Sequence, residues 1–283
     1  MKIQIITMVK NEEDVVEYWI NYHGTIFGYE NLYIIDNYSD DGTFEKLIKY
    51  RKLGVNITRH KDYKQKGVLM TQTINKYTTY DIAIPLDIDE FICYYDKNNK
   101  FLDPNHTKKY IDTCLDIKNN TVFKCNYINT VITNNTEFGY ENALLEAKYG
   151  IYSDYKEMAK TFFSLKNFNN IQIDHGNHYN TKNYVLTDLV LLHYHCRNLE
   201  QMKNKVKSNV IGLGYKEDID YLKNILMKNS QAPGGHHIKR MIRILENKFS
   251  ISAWNRKIEN IENDNNYVRL DNLIDYFIKL SFY

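Results

Sequence analysis

Asp87-Ile88-Asp89 sets two carboxylates two positions apart, directly after the apolar run Ile82–Leu86. In an extended segment residues i and i+2 point to the same side, so both project together from the end of a buried strand. Hard oxygen ligands placed so suit Mn²⁺ or Mg²⁺, which keep coordination positions open for a diphosphate. Paired acids after a strand are also common where no ligand binds. A further acid, Asp36, closes the run Leu32–Ile35 and opens the polar turn Asn37–Gly42. A carboxylate at a strand end can accept the N3–H of uracil or a ribose hydroxyl. Asp41 or Thr43 starting the next helix accounts for part of the same turn without a ligand. Lys10-Asn11-Glu12 lies where a first strand gives way to a helix. A helix N-terminus attracts phosphate, but Glu12 and Glu13 oppose an anion there. That leaves Thr7 and the backbone beside it to meet a nucleotide. His193-Tyr194-His195 ends the apolar segment Val185–Leu192, and its two imidazoles share a face from which both could reach a metal. With His175 and His178 upstream a Zn²⁺ site is conceivable, yet the usual ligand spacing is absent. His236-His237, in a Gly-rich turn, reads as solvated.

The elements that must hold these residues alternate. Strands are expected at Lys2–Met8, Leu32–Ile35, Val55–Arg59 and Asp81–Leu86. Helices are expected after Asn11, which can cap through the amide of Asp14, and at Thr43–Leu53 and Val68–Tyr77. This alternation predicts an α/β fold, a doubly wound parallel sheet with its ligand site at the carboxyl ends of the strands. Beyond Asp96 the pattern predicts a helix at Lys108–Ile117 and strands at Val122–Asn126, Thr161–Leu165, Ile171–Ile173 and Tyr184–Leu192. Helices follow at Leu199–Val210, Ile219–Met227, Ile238–Asn247 and Leu270–Leu280.

Composition narrows the function classes. A formal net charge of +2 on 283 residues provides no global field for nucleic acid or anionic membrane. No apolar run approaches the roughly 18–20 residues that span a bilayer, and the opening stretch is too short for a signal peptide. A soluble, cytoplasmic protein is expected. The 25 Tyr against 3 Pro and 12 Gly reflect composition bias rather than chemistry. Cys93, Cys114, Cys125 and Cys196 form no C-x-x-C pair and have no His at zinc-finger spacing, so free thiols are expected.

Taken in order, the motifs resemble the glycosyltransferase family 2-like group with a GT-A fold, in a branch near glycosyltransferase family 92. The resemblance rests on Lys10-Asn11-Glu12, followed by Glu17-Tyr18-Trp19 and His23, and on Asp36-Asn37-Tyr38-Ser39-Asp40-Asp41-Gly42-Thr43. Leu86-Asp87-Ile88-Asp89-Glu90-Phe91 and His193-Tyr194, with Arg197-Asn198-Leu199-Glu200 after it, complete the set. It spans about Met1–Lys207 and implies a GT-A-like domain over residues 1–207, with 208–283 as a helical C-terminal extension packed on it. It also implies a nucleotide-diphosphate sugar donor, probably of UDP type, bound by Thr7, Lys10, Asn11, Asp36, Lys160 and His178. A Mn²⁺ or Mg²⁺ ion would lie on Asp87, Asp89 and His193. The usual second acid of the family turn is Asn37 here. The E-D and Q-x-x-R-W motifs of processive polymerases are absent, which implies a non-processive enzyme.

Glycosyl transfer needs a departing diphosphate neutralised by the metal and a base near the acceptor hydroxyl. Glu90 is a candidate base, though it could only brace the loop; Glu137, Glu141, Glu146 and Asp154 are alternatives. A sugar nucleotidyltransferase would carry a Gly-rich loop after the first strand, and Met8-Val9-Lys10-Asn11 has none. A non-catalytic nucleotide-sugar-binding module would not need the two aspartates. The cysteine reading is checked by alkylation under denaturing, non-reducing conditions: mass spectrometry should find four modified thiols, and a stable bridge would overturn it.

Overall fold

The structure is a computed structural model that describes residues 1–77, 79–119, 121–131, 140–154, 159–166, 172–174, 176–177, 181–195, 197–250 and 265–280. Its first part alternates β1 (Ile3–Val9), α1 (Val16–Phe27), β2 (Leu32–Asp36), α2 (Thr43–Lys49), β3 (Asn56–Arg59), α3 (Lys66–Lys76) and β4 (Ile82–Pro85). Every residue of β1, β2 and β4 is buried, as continuous apolar strands covered on both faces must be. Next come β5 (Glu90–Asp96), β6 (Phe101–Asp103), α4 (Pro104–Cys114), β7 (Val122–Thr130), α5 (Ala143–Glu146), β8 (Tyr149–Ser153), β9 (Lys160–Ser164) and β10 (Val185–His193). The chain continues through α6 (Leu199–Gly212), α7 (Ile219–Lys228), α8 (Gly235–Leu245), β11 (Tyr267–Arg269) and α9 (Asp271–Leu280).

Among the described residues the strands form one sheet in the order 3-2-1-4-9-7-10-5-6, with β8 on β7 and β11 on β8. β1 to β4 are mutually parallel, and along this path only β9 and β5 run against the common direction. The expected α/β, mostly parallel, doubly wound sheet is therefore the one observed. α1 adds Val16, Trp19 and Ile20 to the apolar layer on one face, and α3 adds Met70 and Ile74 to the layer on the other. The order reverses between β1 and β4, so a crevice opens at their carboxyl ends. Lys10-Asn11-Glu12 leaves β1 there, and Leu86–Glu90 leaves β4.

Register brings the later strands to the same place. β9 runs antiparallel to β4, with Ile82 opposite Ser164, so its first residue, Lys160, lies by the carboxyl end of β4. β10 pairs with β5 so that His193 is opposite Glu90, and the Tyr194 N–H donates to the Asp89 carbonyl at 2.9 Å. A strand pairing thus joins two motifs about a hundred residues apart.

Several elements differ from expectation. Glu90–Asp96, unassigned in the sequence, is a strand between β10 and β6 whose residues Glu90–Cys93 are all buried. Asn11 caps no helix: it adopts φ 54°, exchanges side-chain hydrogen bonds with Asp40, and α1 begins only at Val16. The described part of Ile171–Ile173 is not a strand, because the Ile173 N–H donates to Thr71 Oγ1 at 3.1 Å. α4 starts four residues early because Asp103 caps it and Pro104 occupies its first turn. Residues 208–283 are not purely helical, since β11 extends the sheet through β8, and α6 runs across position 207. Cys93, Cys114 and Cys125 are free; Cys196 lies outside the described residues.

His23 shows what this core costs in acid. The imidazole is fully buried between Phe27 and Phe91, with Nδ1 at 2.9 Å from the Trp19 carbonyl and the Ile92 N–H pointing at Nε2. Those partners hold a neutral ring, and burial lowers its pKa to about 3 from 6.5. The unfolded chain then takes up the proton first, so stability is complete above pH 6.5 and is lost as pH falls toward 3. Between pH 6.5 and 4.5 this amounts to roughly 2–3 kcal/mol. Urea unfolding should show that loss in the wild type and a much smaller one in His23→Gln. Equal losses would place the acid sensitivity elsewhere.

Candidate active site

The segment after β4 is a tight turn rather than an extended one. The Glu90 N–H donates to the Asp87 carbonyl at 3.0 Å, and the Asp87 N–H donates to Glu90 Oε2 at 2.8 Å. The turn sends the two aspartates to different partners, so they do not act as one pair. Asp87 accepts from Lys66 Nζ, from Lys160 Nζ at 2.9 Å and from Asn177 Nδ2 at 3.0 Å. Asp89, 1% exposed, accepts from Lys205 Nζ and faces His193 Nε2 at 3.5 Å. Burial raises both pKa values, but Lys160 and Lys66 outweigh it at Asp87, and Lys205 with His193 at Asp89. Both carboxylates stay well below the ordinary range.

Glu90, the candidate base, lies under this turn. Its carboxylate is 1% exposed and stands 3.2 Å from Lys160 Nζ, while its carbonyl accepts from Trp19 Nε1 at 3.0 Å. Burial raises its pKa, and Lys160 offsets this only in part. Lys160 also donates to the Gly176 carbonyl at 2.7 Å, fixing the 176–177 segment beside Asp87. Gly67 permits this approach, because a Cβ there would stand 2.6 Å from the Ile173 carbonyl oxygen.

The end of β1 meets the turn through Glu12. This buried carboxylate pairs with Arg197 and lies 3.4 Å from Lys205 Nζ, while Arg197 also binds Asp14 at 2.7 Å. Burial raises the Glu12 pKa against the pull of Arg197 and Lys205. The motif at β1 and the one at β2 hold each other. The Asn11 N–H donates to Ser39 Oγ, the Glu12 N–H to Thr43 Oγ1 and the Glu13 N–H to Asp41 Oδ2. Lys10 Nζ donates to the Tyr38 carbonyl.

Two expected nucleotide contacts are placed otherwise. Thr7 is 0% exposed within β1, on the same side as Ile5 and Val9, so the strand's alternation turns it into the core. Asp36 is 0% exposed, with Oδ1 accepting from the Ser39 N–H and Oδ2 from Arg59 Nε at 2.7 Å, so its oxygens are already engaged. The surface that remains at β2 is Arg59, held over the rings of Tyr38 (4.3 Å) and Phe44 (3.8 Å). Tyr38 is displayed by a left-handed backbone at φ 55°. A cleft of about 290 Å³ beside β3 includes Arg59, His60, Gln72 and Lys76 but none of the residues of the charged turn. His178 lies outside the described residues.

One group among the described residues has the donors that a metal ion needs. Asp89, His193 and His195 each offer one ligand atom, all within 4.8 Å of one another. His195 thus joins the group in which the sequence reading had put Asp87. His193 Nδ1 is 3.1 Å from Asn129 Oδ1, a partner that orients the ring and turns Nε2 toward Asp89. One carboxylate oxygen and two imidazole nitrogens fit a divalent ion, with Mn²⁺ preferred to Mg²⁺. Burial and the nearby His193 hold the His195 pKa well below 6.5, which keeps it a neutral ligand.

Lys66 and Lys205 carried no expected role, His195 entered only as the second imidazole beside His193, and Arg197 only as part of a motif. Spacing on α6 gave no signal for Lys205: Lys203 adjoins the buried Met202 just as Lys205 adjoins the buried Val206.

No family model matches the chain, and no curated protein matches it in sequence. Among solved structures it is similar to TarS 1-349 of S. aureus, at 12% identity over 88% of this chain and 71% of that one, with a TM-score of 0.44. The same fragment in complex with UDP gives 13% identity, the same two coverages and the same TM-score. Glucosyl-3-phosphoglycerate synthase from Mycobacterium tuberculosis, in complex with Mn²⁺ and UDP-glucose, is similar at 15% identity over 44% of this chain and 43% of that one, with a TM-score of 0.29. Likeness of this degree says nothing about chemistry. No helix among the described residues is long and apolar enough to cross a membrane.

The Glu12–Arg197 pair should be the costliest contact in this region to break. Arg197→Met leaves a buried carboxylate with Lys205 alone and should lower stability in urea by about 3 kcal/mol. Arg197→Lys should recover only part of that, because an ammonium cannot bridge Glu12 and Asp14 as the guanidinium does. Loss under 1 kcal/mol in the Met variant would refute this account.

Proposed function

We propose that the chain is a metal-dependent, non-processive glycosyltransferase that uses a nucleotide-diphosphate sugar, of UDP type, and an acceptor hydroxyl. The observation that carries the reading is the meeting of Asp89, His193 and His195 beside the Asp87–Glu90 turn, in the crevice where the strand order reverses. The likeness of its motifs to the branch near glycosyltransferase family 92 is part of the same proposal.

In this reading Asp89, His193 and His195 hold the ion, and Asn129 orients His193. When bound, Mn²⁺ supplies positive charge against the departing diphosphate. Asp87 does not ligate: Lys66 and Lys160 keep it ionised, and with Asn177 they fix its carboxylate at the mouth of the crevice, where its side chain is 32% exposed. Glu90 braces the turn from below and is too enclosed to reach an acceptor. The base is sought instead among Glu141, Glu146 and Asp154, all exposed; Glu137 lies outside the described residues. Tyr38 and Arg59 offer the nucleoside a ring face and a cation at the end of β2, in place of the carboxylate of Asp36.

Calorimetric titration of UDP with Mn²⁺ tests the site, and a screen for UDP or GDP release from sugar donors with and without Mn²⁺ tests the reaction. Asp89→Asn and His193→Ala should each weaken Mn²⁺-dependent UDP binding at least tenfold while the circular dichroism spectrum is kept. His195→Ala should weaken it less than His193→Ala, because His193 is the ring that faces Asp89 Oδ2 directly, at 3.5 Å. Unchanged affinity in both Asp89→Asn and His193→Ala would sink the reading.

A further inference from the structure

Lys205 stands where a metal site needs room. It projects from the middle of α6, and its ammonium caps Asp89 Oδ2, the same oxygen that His193 Nε2 faces at 3.5 Å. Its next acceptor is Glu12 Oε1 at 3.4 Å. Lys203, two residues earlier, pairs outward with Glu200, which is 71% exposed. The α6 backbone is tied down on both sides of Lys205. Gln201 donates to the Asn11 carbonyl at 2.7 Å, and Asn209 accepts from Tyr63 Oη at 3.0 Å. The helix is therefore fixed, and the part that can move is the flexible four-carbon stem of Lys205, whose side chain is 21% exposed.

A divalent ion held by Asp89, His193 and His195 has to coordinate the carboxylate that this ammonium already covers. Two cations on one oxygen repel each other, so the ion binds only as the ammonium moves off. In the absence of other anions its alternative is Glu12, which Arg197 already neutralises. A diphosphate arriving with the ion provides a better one, since phosphate oxygens attract an ammonium as a point charge.

We propose that Lys205 is a latch on Asp89 that makes the divalent cation and the diphosphate bind as a unit: the ammonium neutralises Asp89 in the donor-free protein and transfers to the phosphate oxygens when both ligands enter. This rests on the metal and diphosphate reading above and adds an order to it. The two ligands are then coupled, each raising the affinity for the other by the same factor.

The test follows unbound Mn²⁺ by electron paramagnetic resonance in titrations of the whole chain, with Mn²⁺ alone and with Mn²⁺ plus saturating UDP. In the wild type, UDP should tighten Mn²⁺ binding at least tenfold. Lys205→Met, and Lys205→Gln as a neutral variant that still hydrogen-bonds, should bind Mn²⁺ alone at least tenfold more tightly than the wild type and lose most of the gain from UDP. Lys205→Arg should keep the wild-type pattern. If Mn²⁺-alone affinity is unchanged in both neutral variants while Mn²⁺ and UDP still bind, the latch is wrong and the metal site stands. If the neutral variants do not fold, a gain from UDP below threefold in the wild type overturns the latch by itself. If no protein takes up Mn²⁺ with or without UDP, the site reading fails and the latch with it.

Discussion

Burying a carboxylate costs several kcal/mol unless a cation or hydrogen-bond donor stands against it, and the crevice between β1 and β4 buries several at once. Glu12, Asp89 and Glu90 are each at most 5% exposed, and Asp87 adds a fourth carboxylate at the mouth. None of them can be neutralised from its own loop. Their partners come from α3 (Lys66), β9 (Lys160), the end of β10 (His193) and the segment leading into and through α6 (Arg197 and Lys205). The need to compensate these charges decides which distant segments must converge, and the sheet order is one that allows it.

That requirement ties the ends of the domain together. Arg197 reaches Glu12 across 185 positions of sequence, and Lys205 reaches Asp89 across 116. Contacts so non-local form only after the intervening strands are in place, which favours slow folding over local assembly. The C-terminal part is integral for a similar reason. Phe277 of α9 packs edge-on against Tyr18 and Phe91 and tilted against Tyr22, so α9 supports the helix and strand that carry Trp19 and Glu90. Trp19 in turn holds the Glu90 carbonyl, and His23 one turn later accepts the Ile92 N–H. The tryptophan and histidine that follow the first motif therefore serve the far side of the sheet.

Much of this was legible where apolar periodicity and strand-end acids coincide. The alternation over the first 86 residues and the crevice follow from the rules of doubly wound sheets, and the meeting of His193 with Asp89 was implied by the family resemblance alone. What was not legible has two physical origins. The turn at Asp87–Glu90 reads in sequence like the continuation of a strand, and only its hydrogen bonds reveal that the aspartates diverge. Glu90–Asp96 was hidden for the same reason, because its first residue looked like part of a loop motif. The cations were hidden because Lys and Arg on amphipathic helices are usually solvated. Nothing in composition or helical spacing separates Lys205 from Lys203, since each adjoins a buried residue of α6. Asp36 is the converse case, a residue whose type and place suggest a ligand but whose oxygens Ser39 and Arg59 already use.

The divergence of Asp87 and Asp89 changes how the motif has to be understood in this chain. Two carboxylates on one ion would form a single anionic site, and the lysines around them would then compete with that ion for both. Here the turn separates the tasks. Asp87 is held by two lysines and an amide, and Glu90 shares Lys160, so charge on that side is balanced. Asp89 stands with two imidazoles and one ammonium, the donor set that the proposed divalent ion would use. A diphosphate bridging the two regions would place its negative charge between the lysines on one side and the ion on the other. In the proposed reading neither half does this alone, because without the ion the carboxylates would repel the phosphates and without the phosphates Lys205 would keep Asp89. The one-residue spacing of the aspartates is what keeps the two halves within reach of a single ligand, and the turn between them is what keeps them distinct.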